Sequence, residues 1–225
     1  MDLSIERPIA SGARQGGNAM PGFDERREQV LDGCARAFAV KGYQGASIRD
    51  IARAVPMSAG GLYHYCSNKQ EFLYQVCDRA FRSLIERLTT SLEGVDDPAE
   101  RVHTVFKSHL TYFLERPDEL ITLTEDLSSL EAPWASRVRV LQRSYYGIVT
   151  DVLAPLEAPG GISLRVATMS LFGMINWVHT WYRRGADPGA DALARQMSDL
   201  FLSGFAPAAT APKTASRAPQ GGSER

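Results

Sequence analysis

The residues with the clearest chemical potential form a short run rich in glycine and aromatic side chains. Residues 59–65 read AGGLYHY. Three consecutive aromatic residues point in three directions on a helix, so at least one of Tyr63, His64 and Tyr65 must face solvent. Tyrosine and histidine donate hydrogen bonds to phosphates, and tyrosine can lie against a thymine methyl group. The run therefore indicates a helix that contacts nucleic acid, with a buried aromatic turn beside a loop as the alternative.

The two glycines of this run also need a reason. Each costs about 1 kcal/mol relative to alanine inside a helix. At a helix start, however, Gly60 and Gly61 let the helix end approach a groove or a phosphate without obstruction. We therefore expect both glycines to lie in the nucleic-acid interface.

The segment before the run predicts a second short helix and a turn. Ser47 is a good helix cap, and Asp50 follows in the first turn, where a carboxylate suits the helix dipole. Residues 56–58 then break the chain, and Ser58 caps the next helix. A Ser-x-x-Gln capping box at residues 67–70 predicts a further helix behind it. Two short helices joined by a tight turn and followed by a third, capped helix make a helix-turn-helix arrangement at about 47–66.

The charge of this segment, but not of the whole chain, supports a nucleic-acid contact here. The whole chain has a formal net charge of -1, which gives no sign of a nucleic-acid partner. Residues 41–70 carry four basic residues against one acidic residue, an excess of three positive charges. Such a segment can sit near phosphates, although many solvated helix faces carry as much charge. The four basic residues are Lys41, Arg49, Arg53 and Lys69.

The interior of the chain shows helical periodicity throughout and no convincing strand alternation. We predict an all-α fold of about nine helices, at about 24–41, 48–55, 59–66, 69–93, 98–115, 118–131, 134–156, 162–184 and 189–205. The expected domains are a three-helix head at 23–68, which carries the helix-turn-helix, and a helical-bundle body at 69–205. The ends at 1–22 and 206–225 are rich in Gly, Ser and Pro, and we expect them to be a disordered arm and tail.

The sequence argues against an enzyme, a metal site, a cofactor and a membrane span. It holds no nucleophile-elbow, phosphate-loop or dinucleotide glycine motif, and its four histidines are scattered. Its longest charge-free apolar stretch, 166–178, is too short to cross a bilayer. Three cysteines without paired spacing suit a reducing compartment, so we expect a cytoplasmic protein. A helical protein-interaction adaptor that does not bind DNA is the remaining alternative function.

The head resembles the DNA-binding domain of the TetR family of bacterial transcriptional regulators over residues 25–73. The matching residues are Gly42, Ser47, Ile51, Ala52, Ser58, Gly60, Leu62, Tyr63, His64, Tyr65, Lys69, Glu71 and Leu73. The resemblance implies a homodimeric repressor that reads a palindromic operator with the helix at 59–65 and is released by a small effector. Matched residue by residue, it assigns phosphate contacts to Ser47, Tyr63, His64 and Lys69. It places Arg49, Ala59, Gly60 and Gly61 where base or sugar contacts are made, and we include the cap residue Ser58 in the DNA-binding set.

Two positions depart from the family pattern. Pro56 stands where the family's turn commonly has glycine, and proline does not favour positive φ. We therefore expect the turn to be built differently or the two helices to cross at an altered angle. Gly61 replaces a residue that usually bears a side chain, so specificity should depend more on Arg49, Tyr63 and DNA shape.

We expect the body at 69–205 to carry a dimer interface and a ligand site. The stretch 162–184 is apolar nearly all round, which indicates burial on two sides. By resemblance, 162–205 forms the homodimer interface, with a monomer core as the alternative. Residues 171–177, LFGMINW, resemble a helix of family members that respond to acyl-coenzyme A thioesters.

The expected effector is therefore a small apolar molecule, and acyl-coenzyme A esters are candidates. Aromatic and Met-rich walls suit a long apolar ligand. Arg139 and Arg143, one turn apart with Arg137 nearby, could bind its phosphates, or could simply be a solvated face. His109 could equally be a satisfied core histidine. The predicted ligand-binding residues are Phe106, His109, Phe113, Arg143, Tyr145, Met169, Phe172 and Trp177.

Overall fold

The computed structural model describes residues 21–156 and 161–205, which form helices joined by short turns. Within these ranges the only β-type pairing is one isolated bridge between Arg184 and Asp187. The expected disordered ends lie outside the described residues, except for residues 21 and 22, which begin the first helix. The all-α prediction is confirmed.

Ten α-helices are found in the described ranges. They are α1 (Pro21–Gly45), α2 (Ile48–Ala54), α3 (Ala59–Leu62), α4 (Lys69–Leu92), α5 (Pro98–Glu115), α6 (Pro117–Ile121), α7 (Trp134–Leu153), α8 (Leu164–Asn176), α9 (Val178–Trp181) and α10 (Ala190–Phe205). A π-helical turn (Thr122–Asp126) and a 3-10 turn (Leu127–Ser129) continue α6. Glycine at position 42 interrupts α1 with φ 68°.

Polar caps fix five of the ten helix starts in the described ranges. In each case the cap side chain accepts a hydrogen bond from the backbone N–H three residues later, which satisfies an otherwise free donor. The caps are Ser47, Ser58, Asn68, Asp97 and Ser163. The capping box predicted at Ser67 and Gln70 lies one residue later, because Asn68 caps α4 and the Glu71 carboxylate accepts from the Ser67 N–H at 2.6 Å.

Two predicted helices are interrupted. The predicted helix at 118–131 becomes α6 and the two irregular turns, in which the hydroxyls of Thr122 and Thr124 bond to the backbone carbonyls of Asp118 and Leu120. The predicted helix at 162–184 ends at Asn176, and α9 follows after Trp177. There the Thr180 hydroxyl donates to the Trp177 carbonyl at 2.8 Å. Such side-chain bonds compete with the regular helix ladder.

The core is continuous from head to body because α4 runs through both. Its buried residues begin with Phe72 and Leu73 beside the head and continue to Leu88 in the body. Helix α4 packs against α1, α5 and α7, and α5 packs against α10. No helix within the described ranges is both long and apolar enough to cross a membrane.

Candidate nucleic-acid interface and ligand cavity

The head is held together by a close crossing of α1 over the end of α2. A Cβ added to Gly33 would lie 2.2 Å from Cγ2 of Val55, so only glycine permits this approach. Ile51 of α2 and Leu62 of α3 are fully buried beneath the crossing. Sequence reasoning missed Gly33, although a glycine inside a helical pattern signals either a packing constraint or a break.

The start of α2 forms a reciprocal capping box. The Ser47 N–H and hydroxyl both donate to the Asp50 carboxylate, at 2.9 and 2.6 Å, while the Asp50 N–H donates to the Ser47 hydroxyl. Lys41 also bonds to Asp50 at 2.6 Å, and this contact is the main reason that the pKa of Asp50 lies well below its usual range. Arg53 pairs with the same carboxylate at 3.3 Å.

Arg49 differs from the other cations of this segment. Its side chain is exposed and forms no ion pair within residues 21–156 and 161–205. Lys41 and Arg53 share Asp50, and the Lys69 ammonium donates to the Tyr43 and Ala46 carbonyls at 2.8 and 3.0 Å. One of the four basic residues that the sequence places here is therefore free to meet a ligand without losing an existing partner.

Lys69 is a structural residue as well as a candidate phosphate contact. Besides its two carbonyl bonds, its ammonium group lies 4.3 Å from the centroid of the Tyr43 ring. These contacts connect the start of α4 to the end of α1. An ammonium group has three donors, so one N–H is left for a phosphate.

Helix α3 is shorter than predicted and its two glycines play different parts. A Cβ at Gly61 would lie 2.9 Å from Cγ of Met57, so this glycine permits packing inside the turn. That corrects the expectation that both glycines clear the way for a groove. At Gly60 the nearest atom to an added Cβ is 4.0 Å away, which leaves its outer side open.

The aromatic run divides as the sequence requires. Tyr63 is 53% exposed, His64 is exposed, and Tyr65 is half-buried against the Phe23 ring at 5.3 Å between centroids. The predicted DNA-binding residues Ser47, Arg49, Ser58, Gly60, Tyr63 and His64 are all exposed. Ala59, Gly61 and Lys69 are half-buried.

The turn between α2 and α3 keeps a positive φ despite its proline. Pro56 has φ 23°, whereas the pyrrolidine ring favours φ near -65°. Pro56 thus holds a positive φ that glycine adopts easily, and it carries the strain. The expected alternative, an altered crossing angle of α2 and α3, stays a prediction.

The body encloses a cavity of about 570 Å³ between α4, α5, α7, α8 and the segment 117–130. This volume is in the range of small-molecule sites. Its apolar wall consists of Phe81, Phe113, Leu120, Leu123, Leu127, Leu130, Ala135, Val138 and Phe172. Its polar lining consists of Thr124, Ser128, Arg139, Gln142, Tyr145, Tyr146 and Asn176.

Six of the eight predicted ligand residues lie in or beside this cavity. Phe113, Tyr145 and Phe172 line the cavity. His109 is fully buried, and its Nδ1 lies 3.0 Å from the Tyr145 hydroxyl. Met169 and Trp177 line an adjoining groove of about 390 Å³.

Phe106 and Arg143 lie elsewhere. Phe106 is fully buried in the core, with its ring 6.0 Å from that of Phe201. Arg143 is exposed and is not part of the cavity wall, whereas Arg139 is. Residues three and four positions from buried Val138 and Tyr145 include 142 and exclude 143, so the helical period could have excluded Arg143, although it does not point to Arg139.

The segment 117–130 joins the cavity to the head. Asp126 of its π-helical turn accepts a hydrogen bond from the Tyr43 N–H at 2.9 Å, while Leu123 and Leu127 of the same segment line the cavity. The pKa of Asp126 is raised by burial, against the opposing effect of the Tyr43 bond.

A buried ion cluster strengthens the same junction. Arg79 of α4 bonds to Glu28 and Asp32 of α1 at 2.7 and 2.8 Å and to Glu119 of α6. Glu119 is 2% exposed and also accepts from the Tyr112 hydroxyl. Removing one partner of such a cluster would leave a buried charge uncompensated.

A helix-turn-helix head joined to an all-helical body with an internal cavity is the architecture of a helical transcriptional regulator. Residues 30–76 match the family described as "Bacterial regulatory proteins, tetR family", and residues 95–205 match "Tetracyclin repressor-like, C-terminal domain". The chain belongs to the TetR family. It is thus a transcriptional regulator rather than an enzyme.

Individual relatives agree with this assignment. The structure of a TetR-family regulator from Bordetella parapertussis 12822 has a TM-score of 0.73 and 33% identity, covering 80% of this chain and 95% of its own. That of AibR in complex with isovaleryl coenzyme A and operator DNA has a TM-score of 0.70 at 20% identity, covering 81% and 99%. The curated regulator HbdR from Aromatoleum sp. (strain CIB) is 29% identical over 84 residues, so that the match spans 37% of each chain.

Proposed function

We propose that this protein is a homodimeric repressor that binds a palindromic operator and leaves it when a small, largely apolar ligand enters the body cavity. The observation that carries the proposal is the segment 117–130. It lines the cavity through Leu123 and Leu127 and holds the head through the bond from Asp126 to Tyr43. A ligand that moves this segment alters the support of the helix-turn-helix.

The DNA face is formed by the start of α2 and by α3. Arg49 is exposed and unpaired within the described ranges, so binding a base edge or a phosphate costs it no existing ion pair. Tyr63 and His64 add exposed donors beside it. Their exposure, together with the buried support of Ile51 and Leu62, is what a recognition surface requires.

The dimer face is formed by the exposed sides of α8 and α10. Val166, Met169 and Trp177 are 52%, 41% and 64% exposed, and they follow helical spacing along α8 and its end. Leu200 of α10 is 69% exposed. The opposite side of α8, with Leu171 and Ile175, is fully buried in the body. One side therefore completes the monomer core and the other is left for a twofold partner.

The ligand class follows from the cavity wall, which is mostly aromatic and aliphatic, and from Arg139. Arg139 is exposed and is the one arginine or lysine among the residues that line the cavity. Of the two arginines that the sequence suggested for this role, Arg139 rather than Arg143 would bind a phosphate of an acyl-coenzyme A ester at the cavity mouth. The isovaleryl coenzyme A of AibR, on the same fold, supports this choice.

Ligand and DNA would be coupled by a population shift. A ligand that prefers a form with displaced segment 117–130 lowers operator affinity by its differential affinity for the two forms. In a twofold dimer the two recognition helices must lie roughly 34–36 Å apart to enter successive major grooves. A small change at each head is enough to spoil this spacing.

The test begins with DNA selected by the purified protein from random fragments. Fluorescence anisotropy then compares the selected site with a scrambled one. Arg49→Ala should weaken the selected site by about 1–3 kcal/mol and relax its sequence preference. Arg53→Ala is the matched control, because Arg53 lies one turn further along α2 and is already paired with Asp50. It should leave the preference unchanged.

The effector arm adds acyl-coenzyme A esters, the matching free acids or coenzyme A alone to the operator complex. Release by esters only is the expected result. Equal binding of selected and scrambled DNA by the unmodified protein would instead favour the adaptor alternative.

A further inference from the structure

The polar groups of the cavity are distributed unevenly. Tyr145 is 1% exposed and lies at the deep wall, whereas Arg139 is exposed at the mouth. Both belong to α7 and are six residues apart, which is roughly 9 Å along a helix axis. The cavity thus has a neutral polar end and a cationic end, separated by an aromatic and aliphatic wall.

The deep end is organised by a histidine behind the wall. His109 is 2% exposed, and its Nδ1 lies 3.0 Å from the Tyr145 hydroxyl. Its Nε2 has no hydrogen-bond partner in the described part of the chain. Asn176, which lines the cavity, is near enough for its side chain to raise the pKa of His109, but burial acts more strongly and lowers that pKa to about 3.

These protonation states determine what the deep end can offer a ligand. A neutral imidazole has one N–H donor and one acceptor. When Nδ1 carries the proton and donates to Tyr145, the phenol O–H is free to point into the cavity. Burial also raises the pKa of Tyr145, so this hydroxyl stays protonated. In that tautomer the deep end presents a phenol donor and the Asn176 amide, and no charge.

We infer that Tyr145, oriented by His109, forms with Asn176 a subsite that binds a neutral oxygen at the buried end of an otherwise apolar ligand. A ketone, a hydroxyl or an ester carbonyl fits this chemistry. A carboxylate does not, because it would lose its hydration without meeting a cation, which costs far more than burying a neutral polar group. Any charged part of the ligand stays at Arg139. The inference rests on the proposed function only in taking this cavity as the effector site.

The test uses the full chain without DNA and four probes of one chain length. They are 2-octanone, 1-octanol, 1-chlorooctane and octanoate, and binding is measured by isothermal titration calorimetry. For the unmodified protein we expect the ketone and the alcohol to bind about five- to tenfold more tightly than the chloroalkane, the ratio that one net hydrogen bond supplies. Octanoate can place its carboxylate at Arg139, so its affinity should not depend on the Tyr145 hydroxyl.

Tyr145→Phe removes only the hydroxyl. It should lower the affinity for 2-octanone by about five- to tenfold and leave 1-chlorooctane unchanged. Tyr146→Phe is the matched control, since Tyr146 is the next residue and lines the same cavity, whereas the His109 hydrogen bond is made by Tyr145. It should keep the preference for the ketone.

Three results would overturn the inference. They are 1-chlorooctane binding as tightly as the ketone, Tyr145→Phe weakening all four probes alike, and no binding of either oxygenated probe. If Tyr145→Phe does not fold, the relative affinities of the unmodified protein for the probes still test the inference. Operator binding is measured separately, so a protein that prefers the ketone but ignores DNA would contradict the proposed function and leave the subsite standing.

Discussion

Burial of His109 should make the protein lose stability as the pH falls through the mildly acidic range. Burial lowers the pKa of this imidazole from 6.5 to about 3 in the folded protein, and the unfolded chain returns it to its ordinary value. Because the folded-state pKa is the lower one, the stabilisation is fully present above pH 6.5. It is lost progressively as the pH falls toward 3, since the unfolded chain then binds a proton that the folded protein does not.

The size of the effect follows from the two pKa values. Each unit of pKa difference corresponds to about 1.4 kcal/mol. Relative to pH 7, protonation of the unfolded chain should remove about 2 kcal/mol of the unfolding free energy at pH 5 and about 3 kcal/mol at pH 4. His109 is fully buried, so solvent screening does not reduce this figure.

The assay is urea unfolding at pH 7, 5 and 4, followed by circular dichroism, for the unmodified protein and for His109→Gln. Carboxylates titrate in both proteins, so the difference between their pH profiles isolates the imidazole. The unmodified protein should lose about 3 kcal/mol more than the variant between pH 7 and pH 4.

Tyr145→Phe is the control that separates burial from hydrogen bonding. It removes the bond to Nδ1 but leaves the imidazole in place, so it should keep most of the pH dependence. Parallel profiles for the unmodified protein and His109→Gln would refute the argument.

Two further predictions concern the dimer face and the turn. Leu200→Arg should convert a dimer of twice 24.7 kDa into a monomer, as measured by light scattering. Val140→Arg, at a similarly exposed valine of α7, should leave the dimer intact. A monomeric unmodified protein would contradict the dimer proposal. Pro56→Gly should raise the unfolding free energy by about 1 kcal/mol, because relief of backbone strain outweighs the added freedom of the unfolded chain. Pro98→Gly is the control, because proline suits this helix start, and it should lower the stability. If both variants are less stable than the unmodified protein, Pro56 is not strained.

The sequence predicted the regular parts of the fold well, because capping and periodicity are local. The helix predicted at 98–115 is α5 with the same bounds, and Asp97 and Pro98 account for its sharp start. The failures are the segments in which distant contacts compete with the helix. Residues 122–129 form irregular turns whose Asp126 is bonded to Tyr43 in α1, a partner 83 positions away that no local pattern reveals.

The candidate sites show the same division. Arg49 lies on the exposed side of α2, and Tyr63 and His64 follow directly after α3, so their exposure follows from local positions. The cavity could be predicted only in part, because its wall combines five elements that are distant in sequence. Phe106 was an aromatic residue on the expected face of α5, but α10 covers it. Similarly, Phe201 of α10 is buried whereas its neighbour Leu200 is exposed, a difference that composition does not reveal.

The electrostatics of the head bear directly on how the proposed repressor would find its operator. An excess of three positive charges in residues 41–70 suggests strong phosphate attraction, yet Asp50 occupies Lys41 and Arg53, and two backbone carbonyls occupy Lys69. Attraction to DNA that is independent of sequence comes from ion pairs with phosphates, and Arg49 is the cation of this segment that retains its full capacity. Discrimination between the operator and other DNA must then depend on neutral donors such as Tyr63. It must also depend on how closely the open side of Gly60 approaches the groove. A head of this kind gains selectivity from geometry, which is the property that a ligand can remove by shifting the segment that supports it.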